Sequence, residues 1–145
     1  MKKIIMRSFL TLLLALAFIS TIHAQADPWK KEQVLPTKDL AAQINANKDL
    51  PLILNVGPMD NIKTAVNIGA VNTDAGIVKL KNMVANTPKN KAIVIYCGCC
   101  SYINCVNIRP AFQTLQKMGF KNLKVLDIPE GFREDWVAKG YPVEE

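Results

Sequence analysis

Histidine is almost missing from this chain of 145 residues: there is one, His23. Without a second imidazole there is no conventional Cys-His or Ser-His-Asp machinery and no multi-histidine metal site. Aromatics make up 7% of the residues, and no sustained apolar stretch follows residue 22. Cysteine is absent everywhere except in a window of nine residues, which holds Cys97, Cys99, Cys100 and Cys105. A disulfide framework distributed over the fold is therefore excluded. Glycine is sparse as well, with seven residues, and no Gly-rich phosphate loop is present.

The N-terminus has its own pattern. Lys2, Lys3 and Arg7 precede an apolar run from Phe9 to Ile22, broken only by Thr11, Ser20 and Thr21. Ala24-Gln-Ala26 supplies small residues before Asp27. The run is too short for a comfortable membrane span and suits a secretory signal over residues 1–26, cleaved after Ala24 or Ala26. The expected location is periplasmic or secreted, with no membrane attachment after cleavage. Cleavage would remove His23 and leave 15 basic and 12 acidic residues, a charge of +3. The remaining lysines are scattered without a basic stripe, so no nucleic-acid partner is expected.

Residues 27–145 read as one domain. Residues 27–36, with Pro28 and Pro36, look like an irregular lead-in. Thr37 is placed to cap a helix from Lys38 to about Asn47. Leu52–Val56 is a short buried-strand pattern, Ala70–Asn72 a weaker one, and Ala92–Tyr96 the clearest. Helical spacing covers Gly76 to about Ala85, then about Asn107 or Pro110 to Met118, which Gly119 stops. Lys124–Asp127 predicts a further strand. Pro129 opens a last helix, with Phe132 and Trp136 four apart. Strands alternating with helices predict an α/β domain, its central sheet mainly parallel and covered by helices on both faces. Trp29, Phe112, Phe120, Phe132 and Trp136 are assigned to packing.

The cysteines begin where the strongest strand ends and stop just before a helix. The carboxyl end of a parallel strand is the usual place for a site. A loop running into a helix N-terminus directs N–H groups at an anion. A thiolate there is stabilised and nucleophilic. Cys97, the first residue past the strand, is the candidate nucleophile at the mouth of the loop. Gly98, Cys99, Cys100, Ser101 and Cys105 form its walls, and Arg109 is a candidate fixed positive charge. Several pairings of the four cysteines stay open, with an adjacent Cys99–Cys100 bond the least compatible with disulfide geometry. Zinc sites draw on two separated Cys pairs, and this compact spacing does not match them.

Four segments in register resemble rhodanese-like domains. Ile93-Val-Ile-Tyr-Cys97 is similar to their catalytic strand and cysteine, and Ile68-Gly-Ala-Val-Asn72 to their Ile-Pro-Gly-Ala-Ile-Asn segment. Gly119-Phe-Lys-Asn-Leu123 and Trp136…Gly140-Tyr-Pro-Val143 resemble later segments. Cys-Gly-Cys-Cys…Cys…Asn-Ile-Arg-Pro-Ala further resembles a secreted bacterial subgroup with a single domain. The resemblance implies that Cys97 takes sulfane sulfur as a persulfide and passes it to a thiol or other nucleophile. The implied partners are a small sulfur donor and a thiol acceptor. No cofactor or metal is implied, and a monomer is expected. The alternative is a thiol–disulfide redox or metal-binding protein on the same fold. The phosphatase branch of that fold needs an arginine six positions after the nucleophile. Ile103, Cys105, Val106 and Ala111 occupy those positions here, which excludes it. Two departures stand out: the loop is longer than the compact Cys-x-x-Gly-x-Arg-Ser, and Asn55-Val56-Gly57 replaces Asp-x-Arg.

Overall fold

The computed structural model describes residues 29–58 and 61–144; the proposed signal segment, with His23, lies outside them. Five strands form one parallel sheet: β1 (Val34–Pro36), β2 (Leu52–Asn55), β3 (Val66–Asn67), β4 (Ile93–Tyr96) and β5 (Leu123–Asp127). Their spatial order is β1-β5-β4-β2-β3. Among the described residues the α-helices are α1 (Thr37–Ala46), α2 (Asp74–Met83) and α3 (Ile108–Lys117). Among the described residues, no helix is long and apolar enough to cross a membrane.

The strand read most clearly from sequence holds the centre of the sheet. All four residues of β4 are buried, because a parallel strand covered on both faces has no solvent side to alternate with. The chain moves from β1 across to β2 and β3, then back through β4 to β5. Right-handed crossovers therefore put α1 on one face and α2 with α3 on the other. Accordingly, α3 packs on β4, β5 and α2, while α1 packs on β1. The core joins these layers through fully buried Leu40, Leu54, Leu80, Ile95, Leu115 and Trp136.

Three local expectations are corrected. Residues 34–36 are an edge strand paired to β5, with Val34 opposite Val125. Pro36 hid it, although an edge strand tolerates a missing N–H. The strand expected at Ala70–Asn72 lies earlier, at Val66–Asn67, where it pairs with Leu54–Asn55. Gly69 then turns the chain out of the sheet at φ 82°, a conformation glycine adopts without strain. The closing helix is a five-residue π-helical turn, Arg133–Val137. Helix starts also moved. Thr37 is the first turn of α1, with Pro36 as its N-cap. In α2 the cap is Thr73, whose hydroxyl accepts from the Gly76 N–H.

The aromatic residues pack as expected. Phe132 stacks on Tyr96 at 5.7 Å, Trp136 meets Tyr141 edge-on, and Phe112 meets Trp29 edge-on. The Trp136 indole donates to the Pro142 carbonyl. This holds the C-terminal tail beside Ile62, which forms a bridge with Val143.

Candidate functional site

Strands β2 and β4 are neighbours, with Asn55 opposite Tyr96. Beyond them the chain diverges, from β2 towards β3 and from β4 back towards β5. Such a reversal opens a crevice outside the carboxyl ends of two adjacent strands. Gly57 and Cys97 stand at its two sides. They are so close that a Cβ on residue 57 would fall 2.3 Å from the Cys97 sulfur. Glycine at 57 is thus a steric condition for Cys97 where it stands. An arginine there, as in the Asp-x-Arg pattern, is incompatible with this sulfur position.

The loop from Cys97 to Asn107 brings the four cysteines together. The Cys97 sulfur lies 2.9 Å from that of Cys99 and 3.8 Å from that of Cys100, and Cys99 and Cys100 are 3.5 Å apart. All four are free thiols. Cys105 reaches back to hydrogen-bond both Cys97 and Cys100. The sulfurs of Cys97, Cys99 and Cys100 all lie within 4.8 Å of one another. That soft donor set has the chemistry to hold a thiophilic ion.

Burial reverses one expectation. Cys97 is fully buried, not at the mouth of the loop, and Cys105 is buried too. Cys99 is exposed and Cys100 half-buried. The electrostatics follow the same division. Hydrogen bonding with Cys97 is the largest influence on Cys105, whose thiol is pushed down to about 5. Backbone N–H groups of Asn107 and Ile108, where α3 begins, add to it against the cost of burial. Cys97 moves the opposite way, because Cys105 and burial both favour its protonated form. Cys100 is raised to about 12, mainly by burial. Within the pair, the hydrogen bond favours a proton on Cys97 and charge on Cys105.

Asn107, which the sequence marked only as a possible helix start, is the structural pin of the site. It is buried, and its carbonyl oxygen accepts from the N–H groups of Val71 and Asn72 at 3.0 and 3.1 Å. Its amide donates towards the Cys97 sulfur at 3.7 Å. Val71 and Asn72 therefore spend their N–H groups on this side chain instead of on a strand. The only local signal was an asparagine before a helix, and partners 35 residues away leave no sequence pattern.

The other candidates divide. Gly98 lies in the turn that brings Cys99 over Cys97. The Ser101 hydroxyl accepts from the Ile103 N–H and shapes the loop. Trp29 ties the loop down by donating to the Tyr102 carbonyl at 3.3 Å. Arg109 is exposed and lines a groove with Trp29, Gln33, Phe112, Gln113 and Gln116. Backbone N–H groups of Asn107 and Ile108 contribute to stabilising charge on Cys105.

Across the crevice, Asn55 is buried, and its carbonyl oxygen accepts from the Gly57 N–H at 3.0 Å. Its amide donates to Asn61, which in turn donates to Glu144. The Tyr96 hydroxyl accepts from the Ile62 N–H at 2.8 Å.

No protein-family model matches the sequence, and no curated protein sequence matches it. Solved structures do match the fold. A rhodanese-like domain of an Anabaena protein is 19% identical at TM-score 0.55, covering 77% of this chain and 78% of its own. A Bacillus halodurans protein is 19% identical at TM-score 0.59, covering 78% and 77%. A rhodanese-related protein of Thermoplasma volcanium is 20% identical at TM-score 0.52, covering 77% and 97%. With the strand order and the cysteine loop after the central strand, these likenesses identify a single domain of the rhodanese-like fold.

Proposed function

We propose that this protein is an exported sulfur carrier of the sulfurtransferase type, in which Cys97 holds sulfane sulfur as a persulfide and yields it to a thiol acceptor. One observation carries the reading: Cys97 follows the central strand at the reversal point of the sheet, inside a cluster of four free thiols. A persulfide is an anion, and the N–H groups at the start of α3 already stabilise one negative charge in this cluster. The Cys97–Cys105 pair supplies the ionisable partner that histidine supplies elsewhere: the proton Cys97 must lose has an acceptor in contact with it. The donor is a small sulfane-sulfur compound, and export follows from the pattern of residues 1–26.

The test is intact-mass analysis of reduced protein before and after treatment with thiosulfate. A gain of one sulfur atom, removed again by a small thiol, is the expected result. An unchanged mass, with fresh thiols still reactive to alkylation, is the opposing one.

A second reading, thiol–disulfide exchange, rests on the 2.9 Å approach of Cys97 and Cys99. It is distinguished by a loss of two hydrogens on mild oxidation, with no sulfur gained.

A further inference from the structure

The proposed carrier has an access problem. Cys97 is 0% exposed. Gly57 backbone closes one side of its sulfur, the Asn107 amide another, and Cys99 and Cys100 stand over the rest. A donor such as thiosulfate cannot bring its outer sulfur in line with Cys97 past these groups. Cys99 is the exposed member of the cluster, and its sulfur lies 2.9 Å from that of Cys97.

We propose that Cys99 is the loading site, where the donor delivers its sulfur, and that the sulfur then passes inward to Cys97. The inference deepens the carrier reading and rests on it. In the first step the Cys99 thiolate attacks the outer sulfur of thiosulfate. The donor's S–S bond breaks, sulfite leaves with the electron pair, and Cys99 carries the persulfide. In the second step the Cys97 sulfur attacks the outer sulfur of that persulfide. A new S–S bond forms on Cys97, the bond on Cys99 breaks, and Cys99 departs as a thiolate. The proton of Cys97 passes to Cys105, which already accepts its hydrogen bond. No net oxidation or reduction occurs in the transfer between cysteines, and Cys99 is ready for another donor.

The arrangement separates loading from storage. An exposed thiol meets the donor, and a buried one keeps the sulfur from adventitious nucleophiles. Cys100 is close to both but half-buried, so a donor reaches it less readily than Cys99.

The experiment uses the reduced chain and its single variants, mixed with thiosulfate, quenched by alkylation and mapped by fragmentation mass spectrometry. In the unaltered protein the added sulfur is expected on Cys99 first and on Cys97 later. In Cys97→Ser it should remain on Cys99. In Cys99→Ser, loading of Cys97 should slow by at least tenfold. The exposed position of Cys99 makes this variant safe for the fold, which circular dichroism checks. Loading of Cys97 at the original rate in Cys99→Ser overturns the relay and leaves the carrier reading standing. Accumulation on Cys100 in Cys97→Ser also overturns it, by moving the entry point. Persulfide on no cysteine in any variant overturns relay and carrier reading together.

Discussion

Two loops leave adjacent strands at the same edge of the sheet, and they are held by different chemistry. After β2, the chain is fastened by amides: Asn55 to Gly57 and Asn61, and Asn61 to Glu144 in the tail. After β4, the chain is drawn together by sulfur, with Cys97 as the hub. Amide hydrogen bonds have fixed directions and do not change with redox state or sulfur load. Thiol contacts are weak and rearrange whenever a sulfur atom is added or a proton moves. One wall of the crevice is thus a fixed reference, and the other is the wall that the proposed sulfur transfer would use. Where they touch, at Gly57 and Cys97, the fixed wall sets the position of the reacting one.

The largest expected break in this comparison is Cys97→Ser. A hydroxyl cannot hold sulfane sulfur, so retained persulfide at the storage site should fall below detection, while the folded spectrum persists. Next is Gly57→Ala, a change on the amide side aimed at the sulfur side. Its Cβ would displace the Cys97 sulfur. Because misplacement of a reacting group by about 1 Å can cost about 10²-fold in rate, arrival of the added sulfur on Cys97, followed by fragmentation mass spectrometry, should slow on that scale. Overpacking should lower stability by roughly 1–3 kcal/mol in denaturant melts. Unchanged transfer in this variant would mean that the sulfur does its work from another position.

The two asparagines sharpen the contrast. Asn55→Ala leaves the buried Gly57 N–H without its acceptor, at a cost of about 1–3 kcal/mol, and should reduce stability more than transfer. Asn107→Asp keeps an oxygen for Val71 and Asn72 but sets a carboxylate beside Cys97. It should slow transfer by repelling the persulfide anion. Equal losses of stability and rate in both variants would erase the distinction between the walls.

The thiol wall alone should also give the reduced protein a pH dependence of stability. Cys105 is lowered from 9.0 to about 5 in the fold. Between those values the unfolded chain binds the extra proton, so stability rises with pH across that window and is lost as pH falls through about 5. Cys97 and Cys100 are raised, so above about 9 the unfolded chain releases protons that the fold retains, and stability declines. Urea midpoints across this range should therefore peak near pH 9, and the rise below the peak should vanish in Cys105→Ser.

Much of the scaffold was legible in the sequence because burial on both faces makes parallel strands read as apolar runs. Ile93–Tyr96 showed this most clearly, and the helices followed from period and from stops such as Gly119. Strands of two or three residues have no period to read. Val66–Asn67 exists because Leu54–Asn55 lies beside it, and Val34–Pro36 because β5 does. The site was legible in kind but not in arrangement. Four neighbouring cysteines after a strand announced a cluster of thiols, but which thiol is buried, exposed or charged depends on Gly57, Asn107 and the start of α3. Arg109 is exposed in a groove beside Trp29 and Phe112, a placement that adjacency to the loop in sequence does not reveal.

The sheet also imposes an order on folding. Pairing Val34 with Val125 brings together segments from nearly opposite ends of the described chain, and parallel sheets dominated by such distant contacts close slowly, in roughly milliseconds to seconds. A loop of about ten residues closes in roughly 10–100 ns. The cysteines, all inside nine residues, therefore collide many times before β1 finds β5. In an oxidising compartment the nascent chain can lock its thiols before the strands that position them exist, so the yield of competent protein should depend on the redox conditions of its first moments.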